Sequence, residues 1–194
     1  MIDMTAEDIR KYIKNNLSEK RYNHSLGVAA EAEKLAKLYG ADIDKAIFSG
    51  LAHDLAKEIP FDKLKNFLSE YNCGDILKKY DAPLIHGPAA AVILNHKFGI
   101  DDKEILDAVC YHTTGKENMD LLTKIIYVSD FTENGRSFPE AKRARELSYE
   151  NLDEAIIYES GCVIINTVNR GNIIHPDTVY TRNFLLREKI TLND

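Results

Sequence analysis

Apolar residues recur along this chain with a helical rather than an alternating period, and capping residues stand where such segments start and stop. Thr5 with Asp8 predicts a capped helix running to about Leu17. A second helix carries His24, ends at Gly40, and turns Val28, Leu35 and Leu38 to one apolar face. Asp42 is placed to cap a third, through Ala46, Ile47, Gly50 and Leu51 to His53 and Asp54, with Pro60 marking the next start. Phe61 to Tyr71 and Gly74 to Tyr80 read as short surface helices. Pro83 to Phe98 carries His86 near its opening and closes at Gly99, and Asp101 or Asp102 caps the segment bearing Leu106, Val109, Cys110 and His112. Leu121 to Phe131, the most apolar of the later stretches, delivers Asp130 at its C-terminal end, and Asn151 to Asn169 makes a long helix stopped by Gly171. No segment reads as a strand, and no repeat or linker-like tract interrupts the 194 residues. An all-α fold in one domain over 1–194 is expected.

Composition narrows the partners. A formal net charge of −6 argues against a broad basic surface for gripping bulk nucleic acid, while leaving room for a local cluster of Arg and Lys around a phosphate. The expected ligand is therefore a small molecule. Cys73, Cys110 and Cys162 are odd in number and widely spaced, so they fit neither a CxxC metal site nor a disulfide framework and read as reduced core thiols. The first residues are acidic, then Lys-rich, with no apolar signal region, and no apolar run reaches membrane-spanning length. A cytoplasmic protein without a membrane partner is expected. Exposed apolar positions on the late helices are available to a homodimer.

Six residues carry the chemistry: His24, His53 with Asp54 beside it, His86, His112 and Asp130. Four imidazoles and two carboxylates suit borderline divalent metals such as iron, manganese, cobalt or zinc. Neighbouring residues on a helix diverge by about 100°, so His53 and Asp54 can share a metal only near a helix end, which the stop before Pro60 permits. His24, His53, Asp54 and Asp130 then form a shell with positions open for water and a substrate oxygen, the arrangement of hydrolysis by a metal-bound hydroxide. His86 and His112 either ligate a second metal or contact phosphate. Arg21, Lys57 and Arg136 stand three before His24, three after Asp54 and six after Asp130, as cations for that phosphate. Thr113, Thr114 and Gly115 offer a turn with hydroxyl and backbone donors. His175 and Arg182 are candidates to line the pocket from the C-terminal side. Lys142, Arg143 and Arg145, among Glu140, Glu146 and Glu150, read as a solvated helix face. His96 reads as a favourable charge at a helix C-terminus.

These residues sit in five local motifs: RYNHSLGV at 21–28, HDLAK at 53–57, HGPAAA at 86–91, YHTTGK at 111–116 and KIIYVSDFTENGRSFP at 124–139. With them the chain resembles the HD-domain superfamily of metal-dependent phosphohydrolases, and within it the bacterial symmetrical diadenosine tetraphosphatases. The resemblance implies an all-helical bundle, with a metal-site core over about 18–135 and helices over about 138–194 completing the pocket. It implies iron, and cleavage of diadenosine tetraphosphate into two ADP. It further implies that His24, His53, Asp54 and Asp130 ligate the metal, while Arg21, Lys57, His86, His112, Thr113 and Arg136 face nucleotide phosphates. On this reading Asp54 accepts a proton from the attacking water, and His86, His112 and Lys57 act with it in catalysis. IIHPDTVYTRN at 173–183 is similar to the family's C-terminal nucleotide-contacting stretch, which brings in His175 and Arg182. Where the family has an acidic residue and a proline just before the arginine, this chain has Glu133, Asn134 and Gly135, with Arg136 kept. Other nucleotide substrates, and a non-catalytic nucleotide sensor, are the alternatives to be separated from it.

Overall fold

The caps named above organise the chain. In a computed structural model that describes residues 4–191, eleven helices follow one another and no strand occurs among the described residues. Thr5 and Asp8 close a reciprocal capping box ahead of α1 (Ala6–Asn16), and Ser18 caps α2 (Glu19–Tyr39), which ends on Gly40 in the left-handed region at φ 75°. Asp42 accepts from the Lys45 N–H to start α3 (Ile43–Ala52), and Pro60 precedes α4 (Phe61–Glu70). A four-residue helix, α5 (Ile76–Lys79), leads to α6 (His86–Phe98), and Asp102 caps α7 (Lys103–Tyr111). Asp120 caps α8 (Leu121–Thr132), Pro139 opens α9 (Pro139–Glu150), Asn151 caps α10 (Leu152–Asn169), and α11 (Pro176–Thr191) closes the described chain.

Three details depart from the sequence reading. The helix expected from Pro83 begins at His86, because residues 82–85 form a turn in which the Leu84 and Ile85 N–H groups both donate to the Asp81 carbonyl. The helix expected over 74–80 shrinks to Ile76–Lys79, since turns on its N-terminal side already satisfy the backbone. Leu38 is 51% exposed while Val28 and Leu35 are fully buried; ten residues of helix carry it about 80° round from Val28. The three cysteines are free, as expected, but half-buried rather than in the core, with Cys73 in the turn after α4 packed against the first apolar cluster.

Two buried clusters make the interior. One gathers α1, α3, α4 and α6 around Ile13, Leu51, Leu55, Leu68 and Leu94; the other gathers α8 and α10 with the C-terminal half of α2 around Leu35, Ile125, Ile126 and Ile156. Both reach α2, which contributes Ala29 to the first and Ala32 to the second. His53 and Asp54 lie between Ala52 and Leu55 of the first cluster, and Asp130 follows Val128 of the second, so the seam along α2 is where the ligand residues meet.

Two glycines set how closely the site-bearing helices approach. A Cβ on Gly50 of α3 would lie 2.7 Å from the Ala29 Cα of α2, and a Cβ on Gly87 of α6 would lie 2.7 Å from the Cys110 carbonyl oxygen of α7. Backbone cannot yield as a flexible side chain can, so these contacts need glycine. The first draws His24 and His53 together, the second His86 and His112. No helix among the described residues is long and apolar enough to cross a membrane.

Candidate metal centre

All six residues of the sequence constellation converge. α3 stops at Ala52, and short turns follow, with the Leu55 N–H on Ala52, Lys57 on Asp54 and Ile59 on Ala56 carbonyls. That break lets the adjacent side chains of His53 and Asp54 face one point, as expected from the stop before Pro60. His24 comes from the second turn of α2, His86 opens α6, His112 caps the C-terminal end of α7, and Asp130 comes from the last turn of α8.

Each imidazole is held by the ring nitrogen that points away from the centre. Nδ1 donates to the Gly50 carbonyl in His53 (2.8 Å), to Val109 in His112 (2.8 Å) and to Pro83 in His86 (3.0 Å). In His24 it donates to the Glu133 carboxylate at 3.2 Å. A proton on Nδ1 leaves a lone pair on Nε2, the state of a metal-ligating histidine whose orientation is fixed from behind.

The four Nε2 atoms crowd two carboxylates. His24 Nε2 lies 2.9 Å from Asp130 Oδ1 and 3.7 Å from Asp54 Oδ2, and His53 Nε2 lies 3.3 Å from Asp54 Oδ2 and 3.9 Å from Asp130 Oδ1. On the other side of the same carboxylate, Asp54 Oδ1 is 3.3 Å from His86 Nε2 and 3.7 Å from His112 Nε2, and those two nitrogens are 3.0 Å apart. Lone pairs that face each other at such distances repel unless a cation lies among them. Two ligands at right angles on an ion with bonds of about 2.1 Å stand about 3 Å apart, which matches the His24–Asp130 and His86–His112 separations. His24 Nε2, His53 Nε2 and Asp54 Oδ1 are moreover buried without a hydrogen-bond partner among the described residues. Two triads that share His53, one with His24 and Asp130 and the other with Asp54 and His112, each bring their ligand atoms close enough for a single ion. The donor set fits a divalent metal.

Both carboxyls are held in the ionised form. Burial would push the Asp54 carboxyl up, but His53 and His112 outweigh it and hold the group well below the usual carboxylate range. Asp130 is likewise pushed up by burial and pulled further down by His24 and His53. His86 goes the other way: burial, then His112 and Lys57, push it down to about 3, so its imidazole is neutral at pH 7. Behind Asp130, burial and that residue's charge raise the fully enclosed Glu159 carboxyl well above its ordinary value.

Cations rim the cluster on two sides. Arg21 Nη1 donates to Asp54 Oδ2 at 2.5 Å, and Arg136 reaches Asp130 with Nη2 on Oδ1 (3.0 Å) and Nε on the carbonyl (3.2 Å). Lys57 Nζ sits 3.1 Å from His86 Nε2, where burial lowers its own pKa, and the Thr113 hydroxyl is 3.2 Å from the same nitrogen. His175 and Arg182 are not drawn in by any of these contacts. The His175 ring stacks on Tyr80 at 4.8 Å and hydrogen-bonds the Lys79 carbonyl, and Arg182 lies against α10, its Nε 3.7 Å from where a Cβ on Gly161 would be.

Two residues that sequence reasoning passed over support the site. Glu133, 6% exposed, holds His24 with one carboxylate oxygen and accepts from the Gly135 N–H with the other at 2.5 Å. A Cβ on Gly27 would stand 2.5 Å from that second oxygen, so the glycine makes room for the carboxylate. The available signal was an acid three residues past Asp130, one turn on along the same face. Arg145 corrects the reading of a solvated face on α9. It turns inward, with Nε on the Thr132 carbonyl (2.5 Å) and Nη2 on those of Glu133 (2.7 Å) and Arg136 (3.0 Å). One guanidinium thus ties the last carbonyl of α8 to two carbonyls of the connection that follows it.

Comparison with known proteins agrees with this geometry. The family model described as HD domain matches residues 21–135. The chain is 34% identical to the symmetrical bis(5'-nucleosyl)-tetraphosphatase of Staphylococcus aureus, over 93% of this chain and 94% of that protein. It is 37% identical to the protein of the same name from Halalkalibacterium halodurans, over 91% and 95%. Among solved structures, that of a predicted HD superfamily hydrolase involved in NAD metabolism from Clostridium acetobutylicum matches with a TM-score of 0.88 at 38% identity, covering 94% of this chain and 97% of that one.

Proposed function

The chain belongs to the HD-domain family and, within it, to the group of the symmetrical bis(5'-nucleosyl)-tetraphosphatases, and from that premise we propose that it hydrolyses diadenosine tetraphosphate and related dinucleoside polyphosphates to two nucleoside diphosphates. The observation that carries the reading to these residues is the set of four imidazoles, each tied at Nδ1, with their Nε2 atoms converging on Asp54 and Asp130. His24, His53, Asp54 and Asp130 would hold a divalent metal, with iron the choice favoured by resemblance and manganese, cobalt or zinc compatible with the same donors. Asp54 offers its second oxygen to His86 and His112, and these three would hold a second ion. The metal supplies an acidified water and Lewis-acid polarisation of a phosphoryl oxygen.

The chain's own groups do the rest. Arg21 and Arg136 on one side, and Lys57 and Thr113 on the other, would donate to nonbridging oxygens of the tetraphosphate bridge and offset charge that shifts to the leaving diphosphate. Attack of water on an inner phosphorus forms one P–O bond and breaks the central P–O–P bridge. Asp54, central to the cluster, would accept the water's proton.

A panel of nucleotides at equal concentration tests the assignment, with kcat/KM as the ranking quantity. Diadenosine tetraphosphate is expected to rank above nucleoside monophosphates, deoxynucleotides and guanosine polyphosphates, and Asp54→Ala to lose both bound metal and turnover. A guanosine polyphosphate or monophosphate at the head of the ranking, or metal-dependent activity kept by Asp54→Ala, would contradict it.

A further inference from the structure

Symmetric cleavage leaves the same product on both sides of the broken bond, so the protein must seat a nucleoside diphosphate on each flank of the ligand cluster. The cations divide in the same way. Lys57 and Thr113 stand at the His86–His112 pair, on the Oδ1 side of Asp54, whereas Arg21 and Arg136 stand on the side of Asp54 Oδ2 and Asp130 Oδ1. Behind the arginine pair the surface opens into a cavity of about 680 Å³, with Arg21, His24 and Arg136 among its lining residues. That volume suits a nucleotide-sized ligand.

The remaining lining fits the outer part of such a ligand. Lys20, Asn23 and Asn134 are exposed along the rim, the first two from the first turns of α2 and the third from the α8–α9 connection. The two amides each present a donor pair and an acceptor, the combination a base edge or ribose requires, and the ammonium adds charge near the diphosphate. The floor is kept low by the absence of side chains on Gly27 and Gly135, both of which press on the Glu133 carboxylate.

We propose that this cavity seats the second nucleoside diphosphate half of the substrate, and that Asn23 and Asn134 create the preference for a polyphosphate bearing a nucleoside at both ends. The assignment rests on the tetraphosphatase reading and says which part of the site makes it a dinucleotide enzyme. Asn23→Trp fills the cavity from an exposed helix position, and the double variant Asn23→Ala with Asn134→Ala removes its amide contacts without adding bulk.

The test compares two substrates. Diadenosine tetraphosphate and water give two ADP; adenosine 5'-tetraphosphate and water give ADP and pyrophosphate, with no second nucleoside to seat. Both variants are expected to lower kcat/KM on the first by about tenfold or more while leaving the second unchanged. Calorimetric titration of the metal-loaded protein with ADP is expected to fall from two sites per chain to one in Asn23→Trp. Equal losses on both substrates, or full activity on the first with two ADP still bound, overturn the cavity assignment while leaving the tetraphosphatase reading intact. A wild-type chain that releases no ADP from diadenosine tetraphosphate overturns both.

Discussion

Glu133 shows what a single side chain contributes to this centre. It touches none of the substrate-facing cations' targets directly, yet it fixes the tautomer and tilt of His24 from 109 positions away in sequence. Partners that orient a metal-binding histidine are commonly worth about 10- to 100-fold in metal affinity. Glu133→Ala is therefore expected to weaken metal binding by that order in a chelator competition, and Glu133→Gln by less, because its amide oxygen still accepts from Nδ1; affinity unchanged in the alanine variant would refute the role. The clustering of six candidate residues was legible in the sequence because histidine and aspartate in the order His, His-Asp, His, His, Asp have little else to explain them jointly. Glu133 and Arg145 were not, because each acts through a contact that one-dimensional spacing does not display: a carboxylate against a distant ring, and a guanidinium on three carbonyls.

Helix boundaries were read best where a capping side chain or a glycine marks them. Thr5, Asp42, Asp102, Gly40 and Gly99 all act as expected, whereas the start of α6 was missed because the turn at 82–85 is set by bonds to Asp81 rather than by a cap. Helix contacts carry their own predictions. Alanine at Gly50 would gain about 1 kcal/mol of helix propensity. Overpacking against the α2 backbone costs about 1–3 kcal/mol, so Gly50→Ala is expected to lower the unfolding free energy by up to about 2 kcal/mol in denaturant titration; an increase would contradict the close α2–α3 contact. Glu58 ties the start of α2 to the loop after Asp54, accepting from the Ser18 N–H at 2.6 Å and its hydroxyl at 2.7 Å. Those bonds hold its carboxyl below the ordinary value. A depressed acid contributes stability that is present above its unfolded pKa, about 4.3, and lost as pH falls through the folded value. Thermal unfolding from pH 7 down to 3 should thus show a smaller acid-side fall in Tm for Glu58→Gln than for the wild type, and parallel curves would remove Glu58 from that role.

At the scale of the whole molecule, two apolar clusters meet along α2, and the polar centre occupies their seam. That placement gathers six candidate ligand residues, carried by five helices or the turns at their ends, and leaves Arg21 and Lys57 on opposite sides of Asp54. All-helical architecture followed from the periodicity; the two-sidedness did not, since motif spacing says nothing of which face of a carboxylate each cation meets. On the proposed function, the two flanks hold the halves of a tetraphosphate and water enters at its middle bridge. Anaerobically purified, metal-reconstituted protein given diadenosine tetraphosphate in oxygen-18 water tests this directly. Chromatography and mass spectrometry should find ADP as the sole nucleotide product, with a single heavy oxygen in one of every two molecules. ATP with AMP in place of ADP would contradict it.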